Sequence, residues 1–367
     1  MCEILRPDQE FIVSLKHKDL IEEYQKEKKQ VDIDLSKQNQ EQRTIRIARL
    51  RSATEDERAH RDLFNLCVFP FTERQKAYRE TRYQYLRAAP LLELGLKNFD
   101  FLLYRTDPRR GYATIFGETK SSFSNPASIV QEVREKIIQV QSNLEYIKRE
   151  YLQIREGTAI HLEYVIAVYS MDAQNILNAV SNSGGGIIVW QAPRAGVDEL
   201  GLVMPPRALP NRQTMVPAFQ ELRRTLLRIP SSRACFGVLP QSHPLLQLQT
   251  LLSASDLEKK IARPRLISVL QTDLFWLPIS DIETKADEIL SLGERIGFLA
   301  HEDGSNDYHI LSIGYKRAVI EKTLEEKWYN FRASALEEEE YEKIIDALQS
   351  NFEHKRDAKP TLDSDWP

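Results

Sequence analysis

The chain has 367 residues, 42% of them hydrophobic and 28% charged, which allows a sizeable core beneath a highly charged surface. Its formal net charge of −4 argues against a uniformly basic nucleic-acid binder, so any basic patch must be local. The three cysteines are isolated, which argues against a disulfide framework and a Cys-rich zinc site. The sequence has neither the apolar run of a signal peptide nor the roughly 18 apolar residues of a membrane span. We therefore expect a cytoplasmic protein without a membrane partner.

Residues 1–50 are polar and favour helix, which predicts an arm that is either solvated or used for dimerisation. A helix is predicted to start at Thr54, because three acids follow it in the first turn. Apolar residues at helical spacing continue this helix as far as Cys67. The polar arm therefore leads into a helix that can pack on a core.

Residues 74–87 interleave basic residues with tyrosines. Such a mix suits a phosphate backbone, with the tyrosines available for packing or stacking. In this interpretation Arg79 and Arg82 bind DNA. The segment is equally typical of a surface helix whose tyrosines are buried.

Two neighbouring segments, 99–104 and 112–117, predict apolar strands that carry charge at one end. Asp100 lies in the first strand, and Glu118 and Lys120 end the second. Side chains alternate across a strand, so Glu118 and Lys120 share a face, and Asp100 can lie opposite them if the strands pair. Two carboxylates and an ammonium group inside apolar strands are costly unless something binds there.

The next segments predict the rest of an α/β core. Residues 126–151 repeat apolar positions at steps of three and four, which favours one amphipathic helix packed on the sheet over a coiled-coil seam. The apolar runs 162–169 and 187–190 are typical of buried strands, and a helix is predicted between them over 172–183. This unit should be parallel and right-handed. Glycines 184–186 precede a strand and lack a Walker lysine, so they predict a turn.

Prolines after residue 192 predict a linker into a C-terminal α+β domain. Its predicted elements are helices 245–261 and 285–297, strands 264–270 and 274–277, and a hairpin over 296–311. A helix followed by a hairpin is compatible with a winged helix, but the acids of the second helix favour oligomerisation or a structural cap over DNA reading. The last segment, 331–367, has ten acids and five bases and predicts an acidic helical tail that does not contact DNA.

An acid on one strand and Glu-x-Lys on its neighbour suit metal-dependent cleavage of phosphodiesters. The carboxylates of Asp100 and Glu118, with the backbone carbonyl of Thr119, are oxygen ligands for one or two Mg²⁺ ions, for which Mn²⁺ can substitute. Lys120 can orient or deprotonate the attacking water, or neutralise the phosphate. The seven histidines show no paired ligand spacing, which argues against zinc chemistry and a histidine-based triad.

This trio and the order of elements over residues 54–192 resemble the PD-(D/E)XK nuclease superfamily. The core of that family is a helix, a β-meander, a helix and a strand–helix–strand unit, with the acid on the second core strand and Glu-x-Lys on the third. The resemblance implies that Asp100, Glu118 and Lys120 are the catalytic trio. The residue before Asp100 is Phe99, where the family often has proline.

Some members of the family add residues from the two neighbouring helices. The resemblance implies Glu57 on the first helix, with Glu55 and Glu93 as competitors. It also implies Gln141 on the helix after Glu-x-Lys, although Tyr146 follows five residues later and not the usual four.

The loop between the two strands of the trio is basic. Arg105, Arg109 and Arg110 can clamp the phosphates of DNA, or they can belong to a plain solvated hairpin.

The sequence thus predicts an α/β fold with a restriction-endonuclease-like core, a mixed sheet flanked by helices. The predicted divisions are a helical arm (1–50), the nuclease domain (51–192), the C-terminal α+β domain (193–330) and the acidic tail (331–367).

The predicted function is that of a Mg²⁺-dependent endonuclease acting on DNA, with RNA not excluded. By analogy with the family it belongs to restriction or anti-phage defence, including Shedu-like effectors. Cleavage of both strands of a duplex needs two active sites, so a homodimer or higher homo-oligomer is expected. Two alternatives stay open: a non-catalytic nucleic-acid-binding or assembly protein on a degenerate nuclease core, and a recombination or repair nuclease.

Overall fold

The computed structural model describes residues 7–15, 17–72, 76–107, 111–169, 171–192, 243–302, 305 and 307–358. The chain divides into two compact units, one made of Met1–Ser52 with Lys322–Pro367 and the other of Ala53–Glu321. The predicted proline-rich linker after residue 192 lies outside the described residues. Separate domains at 51–192 and 193–330 stay a prediction.

The first unit is built on two long helices that run antiparallel. Its helices are α1 (Pro7–Ser14), the first part of α2 (Lys18–Val68) and the last part of α11 (Arg317–Ala358). Tyr24 of α2 packs on Phe352 of α11, whereas Arg43 of α2 pairs with Glu337 of α11 at 3.0 Å. Residue numbers therefore rise along one helix as they fall along the other. The polar arm and the acidic tail pair with each other within this unit.

The second unit contains a five-stranded sheet. Its elements before residue 193 are the end of α2, a 3₁₀ turn (Phe69–Phe71), α3 (Lys76–Thr81), β1 (Tyr83–Ala88), a 3₁₀ turn (Leu92–Leu94), β2 (Phe101–Asp107), β3 (Gly111–Lys120), α4 (Pro126–Ser142), α5 (Leu144–Glu150), β4 (Ile160–Tyr169), α6 (Ala173–Asn182) and β5 (Ile188–Ala192). The strands lie in the order β1-β2-β3-β4-β5. The first three are antiparallel, and β4 and β5 extend the sheet in parallel. The predicted α/β fold with a mixed sheet flanked by helices is confirmed.

Helices cover both faces of this sheet, as its near-continuous apolar strands require. On one face, Phe64 of α2 packs in the same buried cluster as Phe101 of β2. On the other face, Val133 of α4 and Ile176 of α6 join a buried cluster with Phe116 of β3. The two helical layers fix the strand ends that carry the charged residues.

The register of β2 and β3 sets the level of the predicted trio. It pairs Phe101 with Gly117, so continuing it by one residue brings Asp100 level with Glu118. The backbone N–H of Asp100 donates to the Gly117 carbonyl at 2.9 Å, which extends the pairing beyond the strand. The Phe101 ring lies across Gly117, because a Cβ atom there would come within 1.9 Å of the ring. Position 117 therefore requires glycine while Phe101 keeps this place.

The surface-helix interpretation of residues 74–87 is wrong. The segment forms only the short helix α3, which is followed by the edge strand β1. Arg82 adopts a left-handed φ of 62° between the two, which ends the helix. Tyr83 and Tyr85 then point into the core with the two-residue period of a strand.

The single helix predicted over 126–151 is also wrong, since it breaks at Asn143. The backbone N–H and the side-chain amide of Asn143 both donate to the Gln139 carbonyl. Asparagine side chains compete with the helix for backbone partners in this way. Helix α4 ends there and α5 begins at the next residue.

The rest of the second unit is a helical layer with a small sheet. Its elements are α7 (Pro244–Leu248), α8 (Thr250–Ala254), β6 (Lys260–Ala262), α9 (Arg263–Asp273), α10 (Ile279–Arg295), β7 (Leu299–His301) and β8 (Asp307–Ile310). The sheet has the order β6-β8-β7, and β7 and β8 form the predicted hairpin. The strand predicted over 264–270 is wrong, because these residues belong to helix α9. Pro264 suits the first turn of a helix, and Leu266 and Leu270 are buried one turn apart. No strand forms over 274–277.

Among the described residues, no helix combines the length and apolar character that crossing a bilayer requires.

Candidate active site

Asp100 is fixed against the end of β3 by Thr119. Its Oδ2 atom accepts hydrogen bonds from the backbone N–H of Thr119 at 2.6 Å and from the Thr119 hydroxyl at 2.5 Å. Thr119 is fully buried, whereas about a quarter of the Asp100 side chain is exposed. The carboxylate of Asp100 is thus held in one orientation at the end of the sheet and still reaches solvent.

His60 of α2 lies beside this pair. Its Nε2 atom is 3.4 Å from the Thr119 hydroxyl oxygen and 4.0 Å from Asp100 Oδ2. Glu57, which the family resemblance implied on this helix, is exposed. Its charge acts on His243 instead. Burial lowers the pKa of His243, and Glu57 partly offsets this shift. The residue that this helix places next to Asp100 and Thr119 is therefore His60, three residues after the predicted Glu57.

Glu118 and Lys120 share a face of β3, as the strand alternation predicts. Lys120 Nζ lies 2.8 Å from Glu118 Oε1. Glu118 is only 2% exposed, and its other oxygen, Oε2, accepts a hydrogen bond from Lys136 Nζ of α4 at 2.7 Å. Glu132, one turn earlier on α4, pairs with Lys136 at 2.8 Å and with Lys120 at 3.4 Å. These four residues form a closed ring of alternating charge, which we call the ionic ring.

The electrostatics of the ionic ring are dominated by Glu118. Burial, together with the nearby charge of Asp100, raises the pKa of Glu118 to about 7, although Lys136 and Lys120 act in the opposite direction. Burial disfavours the charge of Lys120, but the carboxylates of Glu118, Glu132 and Asp100 outweigh burial and raise its pKa. Burial also disfavours the charge of Glu132, and its two lysine partners outweigh this and lower its pKa. Two carboxylates, Asp100 and Glu118, thus lie close enough to repel each other inside the protein.

Sequence reasoning missed Glu132 and Lys136. Lys136 is only 6% exposed and lies on the buried face of α4 with Val133 and Val140. A lysine on an apolar helical face, four residues after a glutamate, is the signal that could have found this pair. The carboxylate it holds lies on β3, and no local pattern shows that contact.

Several predicted residues lie away from the trio. Gln141 is exposed, and Tyr146 packs on Tyr151 of the following segment. Arg105 is 5% exposed, with its guanidinium 5.0 Å from the ring centre of Tyr83. A phosphate contact through Arg105 would require the side chain to leave this position.

Four further arginines were predicted to contact DNA, and the structure describes two of them. Arg79 and Arg82 are exposed around the end of α3. Arg109 and Arg110 lie outside the described residues.

The oxygen ligands at this site suit a hard divalent cation. The N–H of Thr119 points at Asp100, and a strand residue presents its N–H and C=O to the same neighbour, so the Thr119 carbonyl also faces that side. Within the part of the chain that the structure describes, no group of three or more His, Cys, Asp or Glu residues could hold a metal ion. Mg²⁺ would rest on Asp100, Glu118, the carbonyl and water, a ligand set it accepts.

Comparison of the chain with protein-family models, with curated proteins and with solved structures finds no match.

Proposed function

We propose that the chain is a Mg²⁺-dependent endonuclease that hydrolyses phosphodiester bonds of DNA. The observation that carries this proposal is the meeting of Asp100, Glu118 and Lys120 at one strand end, where burial and the nearby charge of Asp100 raise the pKa of Glu118 to about 7. Repulsion between the buried carboxylate of Glu118 and the partly buried one of Asp100 opposes folding, and clusters of this kind occur where a cation or a reaction uses them.

The chain's own residues prepare the site for this reaction. Thr119 orients Asp100 through two hydrogen bonds, and Lys136 holds Glu118. Lys120 is partly exposed between two carboxylates, where it can position a water molecule or face a phosphate oxygen. Bound Mg²⁺ supplies Lewis acidity and lowers the pKa of bound water.

The broader setting of this function is part of the same proposal. Cleavage of a duplex by one such site per chain requires a homodimer or higher homo-oligomer, and the family resemblance favours restriction or anti-phage defence. The elements α8 to β8 run in the order helix, strand, two helices and hairpin, which is compatible with a winged helix. Helix α10 carries exposed acids, which favours a structural or oligomerisation role for this part over DNA reading.

A second candidate is a non-catalytic nucleic-acid-binding protein on a degenerate nuclease core. The closed ionic ring favours it, because both oxygens of Glu118 already have lysine partners. Both candidates predict the same fold, and they differ in whether a cation and substrate open the ring.

The test is cleavage of supercoiled plasmid by the purified chain with Mg²⁺, Mn²⁺ or EDTA, repeated with single-stranded DNA and RNA. We expect metal-dependent cleavage that falls about a hundred-fold or more in Lys120→Met and Asp100→Asn. Lys322→Met, at an exposed lysine paired with Glu326, is the matched control and should cleave like the wild type. A wild type inert on every substrate with both metals would falsify the nuclease proposal in favour of the second candidate.

A further inference from the structure

A second polar region lies beside the ionic ring, between α4 and α6. It is a cavity of about 570 Å³, within the size range of small-ligand sites. Its polar lining is made largely of amides: Asn125 and Gln131 from the start of α4, and Asn175, Asn178 and Asn182 from α6. Among the described residues that line it, none carries a carboxylate, and Arg134 is the only charged one. The cavity is therefore polar but nearly uncharged.

The three asparagines of α6 form a stripe along one face of the helix. Asn175, Asn178 and Asn182 follow one another at steps of three and four, so they share one face. The opposite face buries Ala173, Ile176 and Val180. Helix α6 has no Asp, Glu, Lys or Arg, whereas the solvated face of a surface helix usually carries charge. A face of amides alone offers neighbouring donors and acceptors without net charge.

Arg134 fixes the wall of the cavity. Its Nη2 atom donates to the Ser183 hydroxyl and to the Gly185 carbonyl, each at 3.0 Å, and also to the Ser183 carbonyl. These bonds join α4 to the glycine turn after α6, where Gly184, Gly185 and Gly186 all have left-handed φ values. The Nη2 atom is thus committed to carbonyl and hydroxyl oxygens of the wall. Among the described lining residues Arg134 is the only cation, so the cavity offers one guanidinium and no cluster of cations to a phosphate.

The cavity connects to the ionic ring through Gln131. Gln131 also lines a second cavity, of about 560 Å³, together with Glu132 and Lys136 of the ring. Because the two cavities share Gln131, a polymer held with a phosphate at the ring can reach the amide cavity with a neighbouring unit. Amide side chains pair with base edges through a donor and an acceptor at once, as Asn and Gln do with adenine.

We propose that the amide-lined cavity is a base-recognition subsite, which binds an unpaired nucleobase next to the phosphate at the ionic ring. This inference rests on the proposed function for its choice of a nucleic acid. Phosphate contacts position a nucleic acid, and base contacts supply its specificity. Asn178 and Asn182 are the specificity-determining residues, with Gln131 between the base and the ring.

The test is fluorescence anisotropy of labelled single-stranded 12-mers of dA, dC, dG and dT and their RNA counterparts. The full chain carries Lys120→Met, and EDTA removes metal, so neither cleavage nor a cation enters the measurement. We expect a preference for one base, and we expect Asn178→Ala with Asn182→Ala to lower affinity for that base about ten-fold and to level the four affinities. Asn351→Ala, at an exposed helical amide of α11, is the matched control and should keep the preference.

The outcomes separate this inference from the proposed function. Base-selective, Asn178-dependent binding by a chain that never cleaves supports the subsite and contradicts the nuclease. If the chain cleaves DNA but its base preference is the same with and without Asn178 and Asn182, the subsite proposal is overturned and the nuclease proposal stands. Absence of oligonucleotide binding, or Asn178-dependent binding of extended peptides in its place, also overturns the subsite.

Discussion

The central sheet carries charged residues at both ends, and the two ends differ in how those charges are arranged. At the carboxyl end of β3, Asp100 and Glu118 repel each other beside Lys120. At the other end, Glu163 of β4 is fully buried and its Oε1 atom lies 2.5 Å from His161 Nε2.

Groups of opposite charge are mixed at the amino end, and they serve the packing of the sheet. Arg105 lies over the Tyr83 ring. Burial raises the pKa of Tyr83, Arg105 acts against this rise, and Glu163 adds to it. Each end buries a carboxylate, Glu118 at one and Glu163 at the other, so burial of charge alone does not mark a site. The difference is that two like charges, Asp100 and Glu118, lie close together at the carboxyl end.

The largest effect should come from removing one carboxylate at each end. Glu118→Gln should lower metal-dependent cleavage about a hundred-fold or more, because it removes an anionic ligand from the trio. Glu163→Gln, which keeps an oxygen for His161, should cleave within about two-fold of the wild type. Rates on plasmid DNA, with circular dichroism to check folding, decide this. Equal losses in both variants would show that the two ends do not differ in function.

The next effect is on stability, and its sign follows from the raised pKa of Glu118. The carboxyl group is protonated below pH 4.5 in both states, and the folded protein keeps this proton up to about pH 7. The stability it contributes is therefore fully present at low pH and is lost as pH rises through 7. Its loss is worth roughly 3 kcal/mol, on the order of 1.4 kcal/mol per unit of pKa.

Urea unfolding in EDTA between pH 5 and 9 measures this effect. The free energy of unfolding of the wild type should fall relative to that of Glu118→Gln as pH rises. A difference between the two proteins that stays constant with pH would contradict the raised pKa.

A smaller effect should separate packing from nucleic-acid binding at the amino end. Arg105→Ala should lower the free energy of unfolding by about 2 kcal/mol, because the guanidinium loses its contact with Tyr83 and its stem loses packing. Affinity for DNA should stay unchanged when measured on the folded variant. Weaker DNA binding at unchanged stability would instead support the prediction from the loop sequence that Arg105 contacts a phosphate.

The trio could be predicted from the sequence because a strand alternates and pairs by simple rules. The apolar runs around Asp100 and before Glu118 give the strands, and alternation alone puts Glu118 and Lys120 on one face. The start of the predicted helix at residue 126 and the glycine turn are equally local signals, and both match the structure.

The remaining parts depend on contacts between distant segments. Lys136 faces Glu118 only because α4 packs on the sheet, and His60 meets Thr119 across 59 positions of the chain. Strand β1 was missed because its tyrosines fit a helix as well as a strand until the sheet buries them. Leu266 and Leu270 were assigned to a strand because a short apolar run does not distinguish the two periods.

The contact between Gly117 and Phe101 has a consequence for how the sequence can change over evolution. The first side-chain atom added at position 117 would lie 1.9 Å from the tip of the Phe101 ring, so the two side chains would compete for one volume. A larger residue at 117 becomes possible only with a smaller one at 101. Among descendants of this sequence the two positions should therefore vary as a pair, and position 117 should accept a larger residue only after position 101 has changed to a smaller one.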